Sequence, residues 1–126
     1  MPDFNVRLTR RAGSMKVYGI TTCGSVKKAQ SFLKAKGLAY DFVDLKKEAV
    51  GEEKLTLWLS KQPMSILFNT KGTKFRTLGL DKTISDAVKK TWLLKEQLLY
   101  KRPIIECDDG ALLVGFDEEI YQKTFS

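Results

Sequence analysis

Apolar residues recur along this chain with two periods, one suited to strands and one to helices, and turn residues mark the points where the period changes. Val17-Tyr18-Gly19-Ile20 reads as a short strand, and Thr21-Thr22-Cys23-Gly24-Ser25 as a tight loop. A helix follows at once. Val26, Ala29, Phe32 and Leu33 fall at helical spacing, Lys27, Lys28, Gln30, Ser31 and Lys34 cover the opposite side, and Gly37 is a fitting C-terminal stop. Tyr40-Asp41-Phe42-Val43-Asp44 then alternates like a half-buried strand, closing a strand-helix-strand unit of about 30 residues, the size of a parallel crossover.

The middle of the chain predicts helices. One opens on Glu52-Glu53, carries Leu55, Leu57, Trp58 and Leu59, and is stopped by Pro63. Asn69-Thr70-Lys71-Gly72 reads as a turn and Leu78-Gly79-Leu80 as a loop-like joint. A second helix starts at the capping pattern Thr83-Ile84-Ser85-Asp86 and runs through Val88, Trp92, Leu94, Leu98 and Leu99. Ile104-Ile105-Glu106-Cys107 and Ala111-Leu112-Leu113-Val114-Gly115 form two strands joined by Asp108-Asp109-Gly110, a hairpin signature. The last helix takes Asp117 as N-cap and Glu118 and Glu119 in its first turn, with Ile120 and Phe125 facing inward. Strand, helix, strand, helical insert, strand, strand, helix is the order of an α/β, thioredoxin-like fold with a helical insertion between the second and third strands.

Residues 1–14 (MPDFNVRLTRRAGS) carry neither period, and they are set apart as a disordered N-terminal extension or tag remnant, leaving 15–126 as one domain. The whole chain of 126 residues, 43% hydrophobic and 29% charged, is long enough for a single packed core. Its longest apolar runs, such as Ala111-Leu112-Leu113-Val114, fall far short of the roughly 20 residues that cross a bilayer. No apolar segment follows Arg7, Arg10 and Arg11 as a secretory signal requires. The expected location is the reducing cytoplasm, where both cysteines are thiols rather than a structural disulfide. With no histidine, the usual general base and the usual zinc ligand are missing, and two cysteines alone make a poor metal site. The net charge of +7 is spread along the chain without a nucleic-acid motif, so direct nucleic-acid binding is not expected.

Cys23 is the candidate nucleophile. It falls between the first strand and the first helix, where unsatisfied N–H groups of the first turn carry roughly half a positive charge. Lys27 and Lys28 lie one turn on, and no acidic residue occurs between Cys23 and Asp41. Such surroundings favour the thiolate, the form that attacks disulfides, peroxides and arsenate-like oxyanions. Arg102-Pro103 introduces the third strand, a position where proline is allowed, and an arginine there can grip an oxyanion or carboxylate with two parallel hydrogen bonds. Cys107 alternates with Ile105 on one strand face, which favours a buried structural thiol over a resolving one.

Four segments together carry a family resemblance. Val17-Tyr18-Gly19-Ile20-Thr21-Thr22-Cys23-Gly24-Ser25-Val26-Lys27-Lys28-Ala29, then 67–76 (LFNTKGTKFR), then Lys101-Arg102-Pro103-Ile104-Ile105, then Leu113-Val114-Gly115-Phe116 resemble, in this order, the arsenate reductase (ArsC)/Spx family, closest to its YffB-like branch. The resemblance implies a nucleophilic Cys23, a cis Pro103 beside an anion-binding Arg102, and a substrate-binding surface of Thr22, Gly24, Ser25, Lys27, Arg102 and Pro103. Arsenate reductases of this type surround the cysteine with three arginines, of which this chain matches only Arg102; Asn69 and Gly115 occupy the other two positions. Spx regulators carry a C-x-x-C switch, and Val26 stands where its second cysteine would be. What the resemblance leaves is a glutathione-dependent thiol reductase with one nucleophilic cysteine and no bound cofactor, with glutathione or another small thiol as co-substrate; the chain is expected to be a monomer. The alternatives are an Spx-like transcriptional regulator that binds the RNA polymerase alpha subunit, or a weak arsenate reductase.

Overall fold

Strand β1 (Lys16–Gly19) has a neighbour on each side, parallel β2 (Asp41–Asp44) and antiparallel β3 (Ile104–Glu106), and β3 in turn pairs antiparallel with β4 (Leu112–Val114). The four-stranded order is therefore β2-β1-β3-β4, with the expected parallel crossover at one edge and the expected hairpin at the other. In this computed structural model residues 15–125 are described; they fall into two units, one of 15–44 with 102–125 and one of Leu45–Lys101. The sequence-predicted extension, residues 1–14, lies outside the described residues. The sheet, its flanking helices and the insertion between β2 and β3 make an α/β, thioredoxin-like fold.

Helix α1 (Gly24–Ala35) forms where its apolar spacing says it should, burying Val26, Ala29 and Leu33, and it ends at Gly37, whose φ of 72° is the left-handed conformation that glycine adopts without strain. Met15, Val17, Ala29, Leu33, Ile105, Cys107 and Tyr121 pack together as the core of the sheet unit. Around them Phe32, Phe116, Tyr121 and Phe125 make edge-on and tilted ring contacts with centroids 4.8–6.4 Å apart. The C-terminal helix α6 (Glu118–Thr124) has Asp117 as N-cap, its carboxylate accepting from the Ile120 N–H at 3.2 Å. One expectation is corrected here. Ile120 is 49% exposed, and Tyr121, at 1%, is the residue that faces inward, its ring against Phe32 and Phe116 and its hydroxyl on the Gly115 carbonyl.

The insertion unit is helical: α2 (Glu52–Leu59), a single turn α3 (Met64–Leu67), α4 (Thr73–Leu78) and α5 (Asp86–Lys95), followed by a 3-10 turn at Gln97–Leu99. The sequence reading missed α3 and α4, which at four and six residues are too short to display a helical period. It also began α5 too early. The Asp81 carboxylate accepts from both the N–H and the hydroxyl of Thr83, at 2.8 and 2.7 Å, which lowers the Asp81 pKa and leaves the cap to Ser85, whose hydroxyl accepts from the Val88 N–H. Val88 is 43% exposed and Leu93 is the fully buried member. At the other end α5 breaks at Glu96, with φ −133°, and does not run on through Leu98 and Leu99. Gln97 explains the break: its buried amide accepts from the Val50 N–H at 2.6 Å and donates to the Leu93 carbonyl at 2.9 Å, a geometry set by the turn. No helix among the described residues is long and apolar enough to cross a membrane.

Candidate functional site

At the C-terminal end of β1 the chain turns through Thr21 and Thr22, and the Cys23 N–H donates to the Ile20 carbonyl at 3.3 Å. Cys23 is then the N-cap of α1. Its carbonyl accepts from the Lys27 N–H at 3.1 Å, but its side chain makes no capping hydrogen bond, and it is a free, half-buried thiol. The first turn of α1 contains no acidic residue, so no carboxylate of that turn offsets the positive end of this twelve-residue helix. Thr22, Gly24, Ser25, Lys27 and Lys28 are all exposed around it.

Glycine fixes how closely this helix approaches the strand. A Cβ on Gly19 would lie 2.6 Å from one Val26 methyl and 3.1 Å from the other, so only glycine lets the first turn of α1 sit against the end of β1. Tyr18 pairs with Ile104 and Ile104 with Val114, so the next step along the sheet sets Gly19, Pro103 and Gly115 in a row at this end. The Arg102–Pro103 peptide is cis, Pro103 is buried and Arg102 half-buried. The Pro103 carbonyl accepts from the Gly115 N–H at 2.7 Å. Gly115, at φ 82°, has its own carbonyl bonded by the buried Tyr121 hydroxyl at 2.8 Å. The sheet thus brings Cys23, its loop, Arg102 and Pro103 to one end.

Cys107 lies at the other end. Lys16 pairs with Glu106, so the next position along puts Cys107 beside Met15, four residues of β1 from Gly19 and roughly 13 Å along the strand. The Cys107 thiol is buried, and burial, followed by the charges of Asp109 and Asp108, pushes it up to about 11. A cavity of about 200 Å³ opens there, lined by Met15, Leu38, Cys107, Asp108, Asp109 and Phe125 among others. Asn69, which the resemblance sets at a family arginine position, belongs to the insertion unit, as does Arg76. There Asn69 accepts from the Lys71 N–H at 3.0 Å, and Arg76 donates to the Lys71 carbonyl at 2.8 Å.

The model of the ArsC family matches residues 18–124. The chain belongs to the ArsC family. An uncharacterised Haemophilus influenzae protein is 32% identical over 114 residues, which cover 87% of this chain and 97% of the relative. A solved structure of the protein YffB superposes with a TM-score of 0.80 at 31% identity, covering 89% of this chain and 99% of that one. An arsenate reductase-related protein from Brucella melitensis gives 0.71 at 35% identity, over 90% and 95% of the two chains. This ArsC-family chain is thus of the YffB-like branch. Sequence reasoning did not single out the far half of α1 or the β4–α6 corner, which line two grooves. Gln30, Ser31 and Lys34 read as a solvated face, and the signal that could have found them is a twelve-residue helix with no acid in it, next to the cysteine loop.

Proposed function

We propose that the protein is a thiol-dependent reductase in which Cys23 alone is the nucleophile and an external thiol, glutathione, regenerates it. The observation that carries this reading is the contrast between an uncapped, half-exposed Cys23 at a helix N-terminus and a second, buried thiol beside Met15, at the opposite end of β1 from Gly19 and the Cys23 loop. A disulfide needs Cα atoms within about 7 Å, so Cys107 cannot resolve an adduct on Cys23 while the sheet is intact. Membership of the ArsC family supports thiol reductase-type chemistry, as does similarity to an arsenate reductase-related protein.

In this mechanism the Cys23 thiolate attacks one sulfur of an oxidised substrate. The substrate S–S bond breaks, a mixed disulfide forms at Cys23, and the other sulfur leaves as a thiolate. Glutathione then attacks the Cys23 sulfur and the substrate's second sulfur leaves as a thiolate; a second glutathione attacks the glutathione sulfur of the new mixed disulfide, releasing the Cys23 thiolate and oxidised glutathione. Thr22, Gly24 and Ser25 shape the entry, Lys27 adds positive charge, and Arg102 with Pro103 flanks the site, Arg102 holding a carboxylate of glutathione. Incubation with oxidised glutathione followed by peptide mass spectrometry tests this. The expected product is one glutathione on Cys23, slowed in Arg102→Ala; an unmodified Cys23, or modification of Cys107 instead, would refute the reading.

A further inference from the structure

We propose that the substrate of Cys23 is an acidic polypeptide, its reacting cysteine flanked by carboxylates and by one aromatic or branched apolar residue. This rests on the thiol-reductase reading above and names its substrate class. Two grooves run along α1, one on each side of a ridge made by Lys27 and Ser31, which are one helical turn apart and line both. The first, about 370 Å³, is lined by Lys27, Gln30, Ser31, Lys34 and Tyr40. Every one of these side chains carries a hydrogen-bond donor, and none is a carboxylate.

The second groove, about 540 Å³, has Lys27 and Lys28 on its rim, the half-buried rings of Phe32 and Phe116 within it, and Glu118 as its single acid. Phe116 directly follows Gly115, so this groove opens at the same end of the sheet as Cys23. Three ammonium groups against one carboxylate, in a chain of net charge +7, fit an anionic partner. A small anion would use the lysines and leave the rings in water. A polypeptide uses both.

Length sets where the acids belong. Lys27 lies four residues beyond Cys23 and Lys34 eleven, about 6 and 16 Å along the helix axis. An extended chain advances about 3.3 Å per residue, so carboxylates about two and about five positions from the reacting cysteine reach them. In the reaction, the Cys23 thiolate attacks the peptide sulfur of a disulfide, the new bond joins Cys23 to the peptide, and the displaced sulfur departs as a thiolate with the electron pair of the broken bond.

The test uses peptides of one length, each with a single cysteine held as the mixed disulfide of 5-thio-2-nitrobenzoate, whose coloured thiolate reports attack. One peptide carries Glu at those positions and a Phe; the others replace Glu by Gln, Glu by Lys, or Phe by Ala. Release from the Glu peptide is expected to be about 10-fold faster than from the Lys peptide at low salt, with the gap closing to under about 3-fold at about 1 M salt, where charges are screened beyond about 3 Å. The Ala peptide is expected to be slower than its Phe parent. Lys34→Glu should lower the Glu-to-Gln rate ratio, while Lys61→Glu, an exposed site in the other unit, leaves it unchanged. Equal rates for all peptides, or a preference indifferent to salt and to Lys34→Glu, overturn the substrate class alone. No release from any peptide overturns the reductase reading and the substrate class with it.

Discussion

The two ends of one small sheet hold the two thiols of the chain under opposite conditions. At one end Cys23 is half-exposed, caps a helix with no acid in its first turn, and has Lys27 and Lys28 beside it. At the other, Cys107 is 9% exposed and faces the carboxylates of Asp108 and Asp109. Both residues sit next to a strand terminus, so position in the fold does not separate them. What separates them is the sign of the neighbouring charge and access to water, the two conditions that decide whether a thiol reacts.

The largest effect expected from this contrast is on covalent chemistry. Cys23→Ser should abolish glutathione adduct formation and disulfide exchange, and Cys107→Ala should leave both rates within about threefold, because only the thiolate attacks and a thiol at about 11 is ionised to roughly one part in ten thousand at pH 7. Iodoacetamide labelling of the native protein, read by peptide mass spectrometry, should mark Cys23 and spare Cys107. Comparable labelling of the two would erase the contrast.

Arsenate turnover is the next largest. If Asn69 and Gly115 stand where arsenate reductases carry two of three arginines, as the resemblance implies, two charge-assisted bonds of about 1.5–3 kcal/mol each are missing, so turnover should be a few hundredfold or more below that of a relative with all three. Gly115→Arg should not restore it. At φ 82° a side chain costs about 1–2 kcal/mol, and the Gly115 backbone already bonds Pro103 and Tyr121. A coupled assay with arsenate, glutathione and glutaredoxin checks both statements, and robust turnover dependent on Cys23 would reverse the reading of the missing arginines.

The Cys107 end makes its mark on alkaline stability. Its folded pKa, about 11, stands above the ordinary 9.0, so the folded state keeps a proton that the unfolded chain gives up. That contribution is whole below pH 9 and is lost as pH rises to about 11, roughly 2–3 kcal/mol in all. Urea melts across this range should show a shallower decline for Cys107→Val than for the parent chain.

How much of this was legible in the sequence depends on what kind of signal each part leaves. Strand β1, helix α1, β2 and the Asp108–Gly110 hairpin were readable because several residues repeat one period between clear turn residues. Cys23 was readable because the strand-to-helix boundary runs through it. Helices α3 and α4 were too short to repeat, and the early end of α5 depends on the Gln97 amide meeting Val50, a contact 47 residues apart that no local pattern records. Ile120 and Tyr121 show the finest limit. In a seven-residue helix, shifting the inward face by one position exchanges the buried residue, and the contacts of Tyr121 with the Phe32 ring and the Gly115 carbonyl, which no local pattern records, decided it. The grooves on α1 escaped notice for a different reason, since polar residues at helical spacing look the same whether they face solvent or a ligand.

Gly19→Ala probes the closeness of α1 to β1. The added methyl would stand 2.6 Å from a Val26 methyl on a β-branched side chain with little freedom to rotate away. Overpacking of this kind costs about 1–3 kcal/mol, and because Val26 lies in the first turn of the Cys23 helix, the shift should also slow adduct formation. Denaturant melts and oxidised-glutathione labelling measure the two effects. Unchanged stability would show that the first turn has room to move.

Tyr121→Phe tests whether the two ends can be disturbed separately, although one side chain touches both. The Tyr121 ring packs in the core cluster that includes Cys107, while its buried hydroxyl donates to the Gly115 carbonyl at the Cys23 end. Phenylalanine keeps the ring and its edge-on contacts with Phe32, Phe116 and Phe125, so the core around Cys107 loses nothing in volume. Only the hydrogen bond goes. The Gly115 carbonyl is left short of a partner in a buried place, which should cost about 1–2 kcal/mol in a urea melt. Adduct formation at Cys23 should fall modestly, because Gly115 shares the end of the sheet with Pro103, and Cys107 should stay as resistant to iodoacetamide as before. If Cys107 instead becomes labelled while Cys23 is unaffected, Tyr121 serves the core end rather than the Cys23 end.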